Sequence, residues 1–279
     1  MNQLIKLENY GAIAVSGQEQ KLYLQGQLTC DLNQIEEQKY LLGCLCSAQG
    51  KLISTFYLIK LEQIIYLIMR KGILQESLLA LKKYAMFSKV DIVDASDDIY
   101  FYGTVGNPKI ANSIAEIEIE SQIRLHLFEQ PQEQTKQLDQ AQWELALIKA
   151  IRPELETPKM QNEYVPQFLN QVDLGAVSFK KGCYIGQETV ARTRYLGKQK
   201  RATFYLCGCA ENIQAGDEIE QEFGNNWRYV GQVINAVYAE NKWHLLAILP
   251  IDIEIEQNFR AANQHKSKLE LKSQIITGE

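Results

Sequence analysis

The chain has 279 residues, of which 46% are apolar, 23% charged and 9% aromatic. That composition is too apolar for a disordered protein, and the length allows two or three domains. Its 29 Lys and Arg against 34 Asp and Glu give a net charge of −5, which excludes a whole-chain basic coat for nucleic acid while leaving room for a local patch.

The N-terminal run MNQLIKLENY lacks the charged start and long apolar core of a signal peptide. Residues 8–17 alternate as a short strand, and Glu19 to Leu28 reads as a short helix. Strands are predicted at Tyr40–Cys46, Leu52–Ile59 and Ile64–Met69. Lys60, Glu62 and Gln63 interrupt the apolar stretch from Leu52 to Met69, so two strands fit it better than a membrane span. Apolar residues at Leu78, Leu79, Leu81 and Tyr84 place a helix over Glu76–Tyr84, and strands return at Val90–Val93 and Ile99–Tyr102. Residues 129–142 hold six glutamines and little that is apolar, as expected of an exposed connector. A helix follows, capped by Asp139, with Trp143, Leu145, Leu147, Ile148 and Ile151 apolar and Pro153 helping to end it. From Arg201 short alternating strands predict a small antiparallel barrel. The whole reads as an α+β protein.

The six cysteines, without a secretory signal, are expected to be reduced thiols of a soluble cytoplasmic protein. Cys44-x-Cys46 and Cys207-x-Cys209 lie in strand-like runs and read as small core residues rather than metal ligands, since the usual two-residue spacer is missing. His126, His244 and His265 are isolated, Gly103-Thr-Val-Gly106 lacks the third glycine of a dinucleotide loop, and no phosphate loop is present.

One segment stands apart. Lys180 to Arg201 carries seven basic residues against the single acid Glu188, on an otherwise acidic chain. Gly182 and Gly186 would let Cys183–Tyr184–Ile185 bend tightly, ahead of a short helix over Gln187–Thr193. Helix amides and the flanking Lys180, Lys181 or Arg192 would stabilise a Cys183 thiolate, or hold a ligand carboxylate or phosphate. A buried structural cysteine is the rival reading, and a solvated loop is the rival for the charge run.

The run Lys181-Gly182-Cys183-Tyr184-Ile185-Gly186-Gln187-Glu188, continued by Ala191-Arg192, resembles the signature of the YgfZ family of folate-binding proteins, relatives of the aminomethyltransferase (T-protein) of the glycine cleavage system. Leu22–Thr29 followed by Asp31, and Leu81–Val90, resemble the same family, with a weaker continuation at Asn226-Trp227-Arg228. The resemblance implies a three-domain ring of the aminomethyltransferase/YgfZ type. Residues 1–35 and 97–200 would form a folate-cradle α/β domain, 36–96 a second α/β domain and 201–279 the barrel. It further implies tetrahydrofolate or another reduced folate bound against Tyr10 and Trp143, with Lys181, Gly182, Tyr184, Gly186, Gln187, Glu188 and Arg192 contributing and Cys183 supplying a reactive thiol. Family members usually carry Trp where this chain has Tyr10. Ser54 and Thr55 stand where true aminomethyltransferases carry paired Asp, so neither can act as a carboxylate base near neutral pH. The implied role is a folate-binding accessory factor of iron–sulfur cluster assembly or repair, with iron–sulfur proteins as partners, including those that modify tRNA. The alternatives are a folate-dependent transferase using a substituted base such as Glu163 or Glu188, and tRNA binding through Lys180–Arg201.

Overall fold

The structure is a computed structural model. It describes residues 4–35, 40–106, 108, 110–133, 139–197, 199–254 and 256–274; Lys198 of the basic stretch and residues 134–138 of the expected connector lie outside that set.

In chain order the first half holds β1 (Ile5–Lys6), β2 (Tyr10–Ser16), α1 (Gln20–Gln27), β3 (Tyr40–Cys46), β4 (Leu52–Leu61), β5 (Ile64–Arg70), α2 (Leu74–Lys83), β6 (Asp91–Asp94) and β7 (Tyr100–Val105). It continues through β8 (Ala115–Glu120), β9 (Ile123–Phe128), α3 (Gln140–Lys149) and α4 (Gln187–Tyr195). The C-terminal part is all strand: β10 (Arg201–Cys209), β11 (Glu218–Phe223), β12 (Asn226–Ala239), β13 (Lys242–Pro250), β14 (Phe259–Ala261) and β15 (Lys268–Gln274). The predicted elements recur within a few residues of their expected ends. Strands β1, β8 and β9 are additions; β8 is Ala-Glu-Ile-Glu-Ile-Glu, alternating buried and exposed as a half-covered strand must.

Three β units result: a five-stranded sheet ordered β3-β4-β5-β2-β6, a four-stranded sheet ordered β1-β7-β9-β8, and a closed barrel β10-β13-β12-β11-β14-β15. Strand pleating explains how the first sheet is buried on both faces. Ile13 and Val15 of β2, with Phe56 and Leu58 of β4, face the core beneath α1 and α2. Tyr10, Ala12, Tyr57 and Ile59 face the second core, against the four-stranded sheet and α3. Hydrogen bonding cuts the N-terminal region differently from the expected division of 1–35 with 97–200 against 36–96. Among the described residues before 97, only β1 joins the sheet of residues 97–128, pairing with β7, while β2 lies between β5 and β6. Asp139 caps α3 as expected, its carboxylate accepting from Ala141 N at 3.0 Å. Gly103 on β7 lets the Trp143 indole lie against the backbone, since a methyl there would come within 2.3 Å of the ring.

Candidate functional site

Where the three β units meet, a buried ionic network has formed from residues far apart in sequence. Arg70, the last residue of β5, donates from Nη1 and Nη2 to the Glu144 carboxylate of α3 at 2.6 and 2.8 Å, and from Nε to Glu154. Glu154 also accepts from Tyr10 Oη at 2.5 Å and Tyr57 Oη at 2.8 Å. Asn235 of barrel strand β12 accepts from Glu154 N at 3.1 Å and donates to Glu154 O at 2.9 Å and to Glu156 Oε2 at 3.1 Å. Asn9 Nδ2 donates to Glu144 at 3.0 Å, but the buried Asn9 Oδ1 has no protein partner.

The electrostatics follow from the count of three carboxyl groups around one guanidinium. Burial alone would lower the Arg70 pKa, but Glu144 and Glu154 outweigh it and hold the cation firmly charged. Burial alone would raise the Glu144 carboxyl, but the Arg70 contacts outweigh it and hold it below its usual range. Glu156 has only a share of that cation. Burial, reinforced by Glu144 and Glu154, pushes it up to about 7.

Two cavities adjoin Arg70. One is small, about 20 Å³, bounded by Thr55, Tyr57, Arg70, Glu154 and Gln171 among others, room for about one water. The other is an open cleft of about 410 Å³, lined by Asn9, Arg70, Glu156, Thr157, Lys159 and Gln214 among others, within the range of small-molecule sites. Its walls come from the β1–β2 turn, the end of β5, the segment after Pro153 and the β10–β11 connection.

The residues predicted from the sequence fall into two groups, and neither lines this cleft. Tyr10 and Trp143 meet edge to face with ring centroids 6.3 Å apart, and Trp143 Nε1 donates to Tyr10 Oη at 3.3 Å. Both rings are buried, at 1% and 0% exposure. The helix carrying Trp143 buries it against Gly103, and the Tyr10 hydroxyl donates to Glu154.

The second group surrounds Cys183, which is exposed. Lys181 was expected to favour a thiolate or meet a ligand, yet its ammonium points inward. It donates to Gln25 O, Leu28 O and Cys30 O at 2.7–2.8 Å, satisfying the C-terminal carbonyls of α1 and the turn after it. Its Nζ also lies 5.3 Å from the centre of the buried Tyr184 ring. Of the two glycines only Gly186 needs its freedom: it caps α4 at φ 82°, and a methyl there would strike Ser47 O at 2.4 Å. Gly182 faces open space with no positive φ. Gln187 Oε1 accepts from Tyr184 N at 3.3 Å, and Glu188 and Arg192 are exposed. Cys30, Cys44 and Cys46 are core residues, and burial pushes the Cys30 and Cys46 thiols up to about 12.

Cys44 Sγ donates to Gln171 Oε1 at 3.8 Å on the wall of the smaller cavity. Arg70, Glu144, Glu154, Glu156 and Asn235 escaped the sequence reading. The available signal was a charge set into an apolar run, as in Ile64–Arg70 and in Trp143-Glu144-Leu145.

The chain is 36% identical over 291 residues to the "tRNA-modifying protein YgfZ" of Aliivibrio fischeri strain MJ11, covering 95% of this chain and 91% of that protein. It belongs to the YgfZ family. A YgfZ relative from Colwellia psychrerythraea is 38% identical over 85% of this chain and 82% of its own, and an uncharacterized protein of Haemophilus influenzae is 39% identical over 94% of each. The family model for the YgfZ β-barrel domain matches residues 199–264, the region from just before β10 to just beyond β14. Among solved structures, the glycine cleavage system aminomethyltransferase T from Bartonella henselae superposes with a TM-score of 0.71 at 14% identity, over 97% of this chain and 84% of that one. The YgfZ chain therefore has the aminomethyltransferase fold, with its closed six-stranded barrel at the C-terminus. No helix among the described residues is long and apolar enough to cross a membrane.

Proposed function

We propose that the protein is a cytoplasmic, reduced-folate-binding member of the YgfZ family that serves tRNA modification, acting as an accessory factor in the assembly or repair of iron–sulfur enzymes. The iron–sulfur and tRNA parts of this reading rest on the family to which the chain belongs. The folate part is carried by one observation: Asn9 and Glu156 line a polar cleft of about 410 Å³, and Asn9 Oδ1 is a buried acceptor without a protein partner.

The donor set suits a pterin. Its amide edge presents N–H donors, which the Asn9 carbonyl and the Glu156 carboxyl can accept, and burial without a partner costs an amide oxygen about 1–3 kcal/mol. Lys159 on the rim is placed to meet a glutamate-tail carboxylate, a role the buried ammonium of Lys181 cannot fill. Arg70 is already held by two carboxylates and acts by orienting Glu144 and Glu154 rather than by binding the tail. A bound reduced folate would supply a carrier for one-carbon units. Glu156, which gains or loses its proton near neutral pH, would hold a proton at its carboxyl oxygen beside that ligand.

Glu156 also favours the second reading, a folate-dependent transferase, because such chemistry needs a base and the paired-Asp positions hold the buried Ser54 and Thr55, the latter accepting from Leu155 N at 3.1 Å. Glu163 and Glu188, the substitutes considered from the sequence, are exposed and lie outside the cleft.

Calorimetric titration with tetrahydrofolate tests the proposal. Wild type and Cys183→Ala are expected to bind alike, and Asn9→Ala at least about tenfold more weakly. Absence of binding by folded wild type, or unchanged binding by Asn9→Ala, would overturn the folate site. Turnover with a one-carbon donor, lost in Glu156→Gln, would select the transferase.

A further inference from the structure

Three segments distant in sequence carry no acidic residue: 20–30, 77–90 and 174–187. Together they hold six lysines, on a chain whose net charge is −5. The first contains α1, and the fold brings the other two against it. At its N-terminal end, Glu19 N donates to Lys89 O at 3.3 Å and Lys89 N to Glu19 Oε2 at 2.7 Å. Midway, Tyr23 Oη donates to Leu81 O. At its C-terminal end, Ile185 N donates to Gly26 O at 3.2 Å, and Lys181 Nζ to Gln25 O at 2.7 Å. Eight helical residues span about 12 Å, so α1 bridges the Lys82–Lys89 loop and the Cys183 loop. Helical spacing sets Lys21, Leu22 and Gln25 along one stripe. On it Lys21 is exposed and Leu22 is 75% exposed, while Tyr23 and Leu24 pack inward.

The far end of this stripe holds side chains that folding does not use. Phe87 is 95% exposed and Met86 79%, with Tyr84 beside them under the Lys83 ammonium, 5.4 Å from its ring centre. Lys82, Lys83 and Lys89 are exposed around them, as are Lys21 and Lys180 along and beyond the helix. Of the bordering acids, Glu19 accepts from Lys89 N, and Asp31 accepts from Gln25 and Asn33. Exposed aromatic rings set among lysines, without acids, match a ligand that has flat apolar faces and a regularly repeated negative charge.

We propose that this surface, from Phe87 along α1 to Cys183, is a docking track for single-stranded RNA, with bases stacked on Phe87 and Tyr84 and phosphates met by the lysines. It extends the RNA side of the proposed function and is independent of its folate side. It also differs from the basic stretch Lys180–Arg201, which it meets only at its Cys183 end. An acidic protein partner would use the same charges but has no need of unstacked aromatic rings.

The test is a fluorescence-anisotropy titration of a labelled oligouridine, without folate, at several salt concentrations. Phe87→Ala should weaken binding about tenfold. The triple replacement Lys82→Ala, Lys83→Ala, Lys89→Ala should lower the slope of log affinity against log salt by about 2. Both variants should keep wild-type melting temperature and tetrahydrofolate affinity, since every altered side chain is exposed and none lines the cleft. No oligouridine binding by wild type would overturn the proposal. So would unchanged binding by both variants, loss confined to replacement of Arg192 and Arg194, or tighter capture of polyglutamate than of RNA.

Discussion

Glu156 shows how a single carboxyl acquires a proton affinity suited to neutral pH. Burial and two neighbouring carboxylates raise it from 4.5 to about 7, and Arg70, shared among all three, offsets only part of that. A folded-state pKa above the unfolded value means that the folded protein retains a proton the unfolded chain releases. Stability therefore falls as pH rises from about 4.5 to about 7. Glu156→Gln keeps the neutral form at every pH, so its melting temperature relative to wild type should rise between about pH 5 and about pH 8. A constant offset across that range would show that Glu156 ionises as an ordinary glutamate. Lys181 makes the complementary point. Burial lowers it to about 8, yet three carbonyls at 2.7–2.8 Å match its three N–H donors. At neutral pH it is an ammonium spent on structure.

At the scale of elements, α3 carries more than its ten residues suggest. One face lays Trp143 and Leu147 on the four-stranded sheet, while Glu144 reaches Arg70. Its first turn is closed by Asp139, and loss of such a cap costs about 1 kcal/mol. Asp139→Ala should lower the urea-unfolding free energy by about that amount with an unchanged m value. A change in m would mean that the substitution alters the extent of cooperative unfolding rather than the cap alone. The loop before α4 is held differently, by backbone against backbone. Gly186 and Gly50 approach so closely that a methyl on Gly186 would meet Gly50 Cα at 2.8 Å, which fixes the Cys183 loop to the β3–β4 turn without engaging the thiol.

Across the whole molecule, the Arg70 network is the polar join between the two sheets and the barrel. Arg70 stands on β5, Tyr10 on β2, Asn235 on β12 and Glu144 on α3, so one cluster joins the five-stranded sheet, the barrel and the helix packed on the four-stranded sheet. Removing the cation leaves two carboxylates buried without a counter-charge, which costs about 3–5 kcal/mol. Arg70→Met should lower unfolding free energy by that much, and adding Glu144→Gln should recover part of it. A loss below about 1 kcal/mol, as for an exposed pair, would show that water reaches the network. The RNA track also belongs to this scale, because its acid-free segments become one surface only when 77–90 and 174–187 pack against α1.

Much of the architecture was legible in the residues themselves. Period-two alternation marked β2 and the barrel, apolar runs marked β3 to β5, helical spacing marked α2, and Asp139 announced the start of α3, because these signals act between residues a few positions apart. The octapeptide around Cys183 pointed to the YgfZ family for the same reason: a tight loop with a left-handed Gly186 is encoded locally. The tertiary structure alone decided what each polar group faces. Lys181 turned inward because α1 left three carbonyls at its end, and Tyr10 and Trp143 became core because the second sheet closed over them. Glu154 and Glu156 gained importance from Arg70, more than 80 residues away. Burial and charge pairing are properties of surroundings assembled from distant segments, so local sequence named the candidates while packing determined which of them face the cleft.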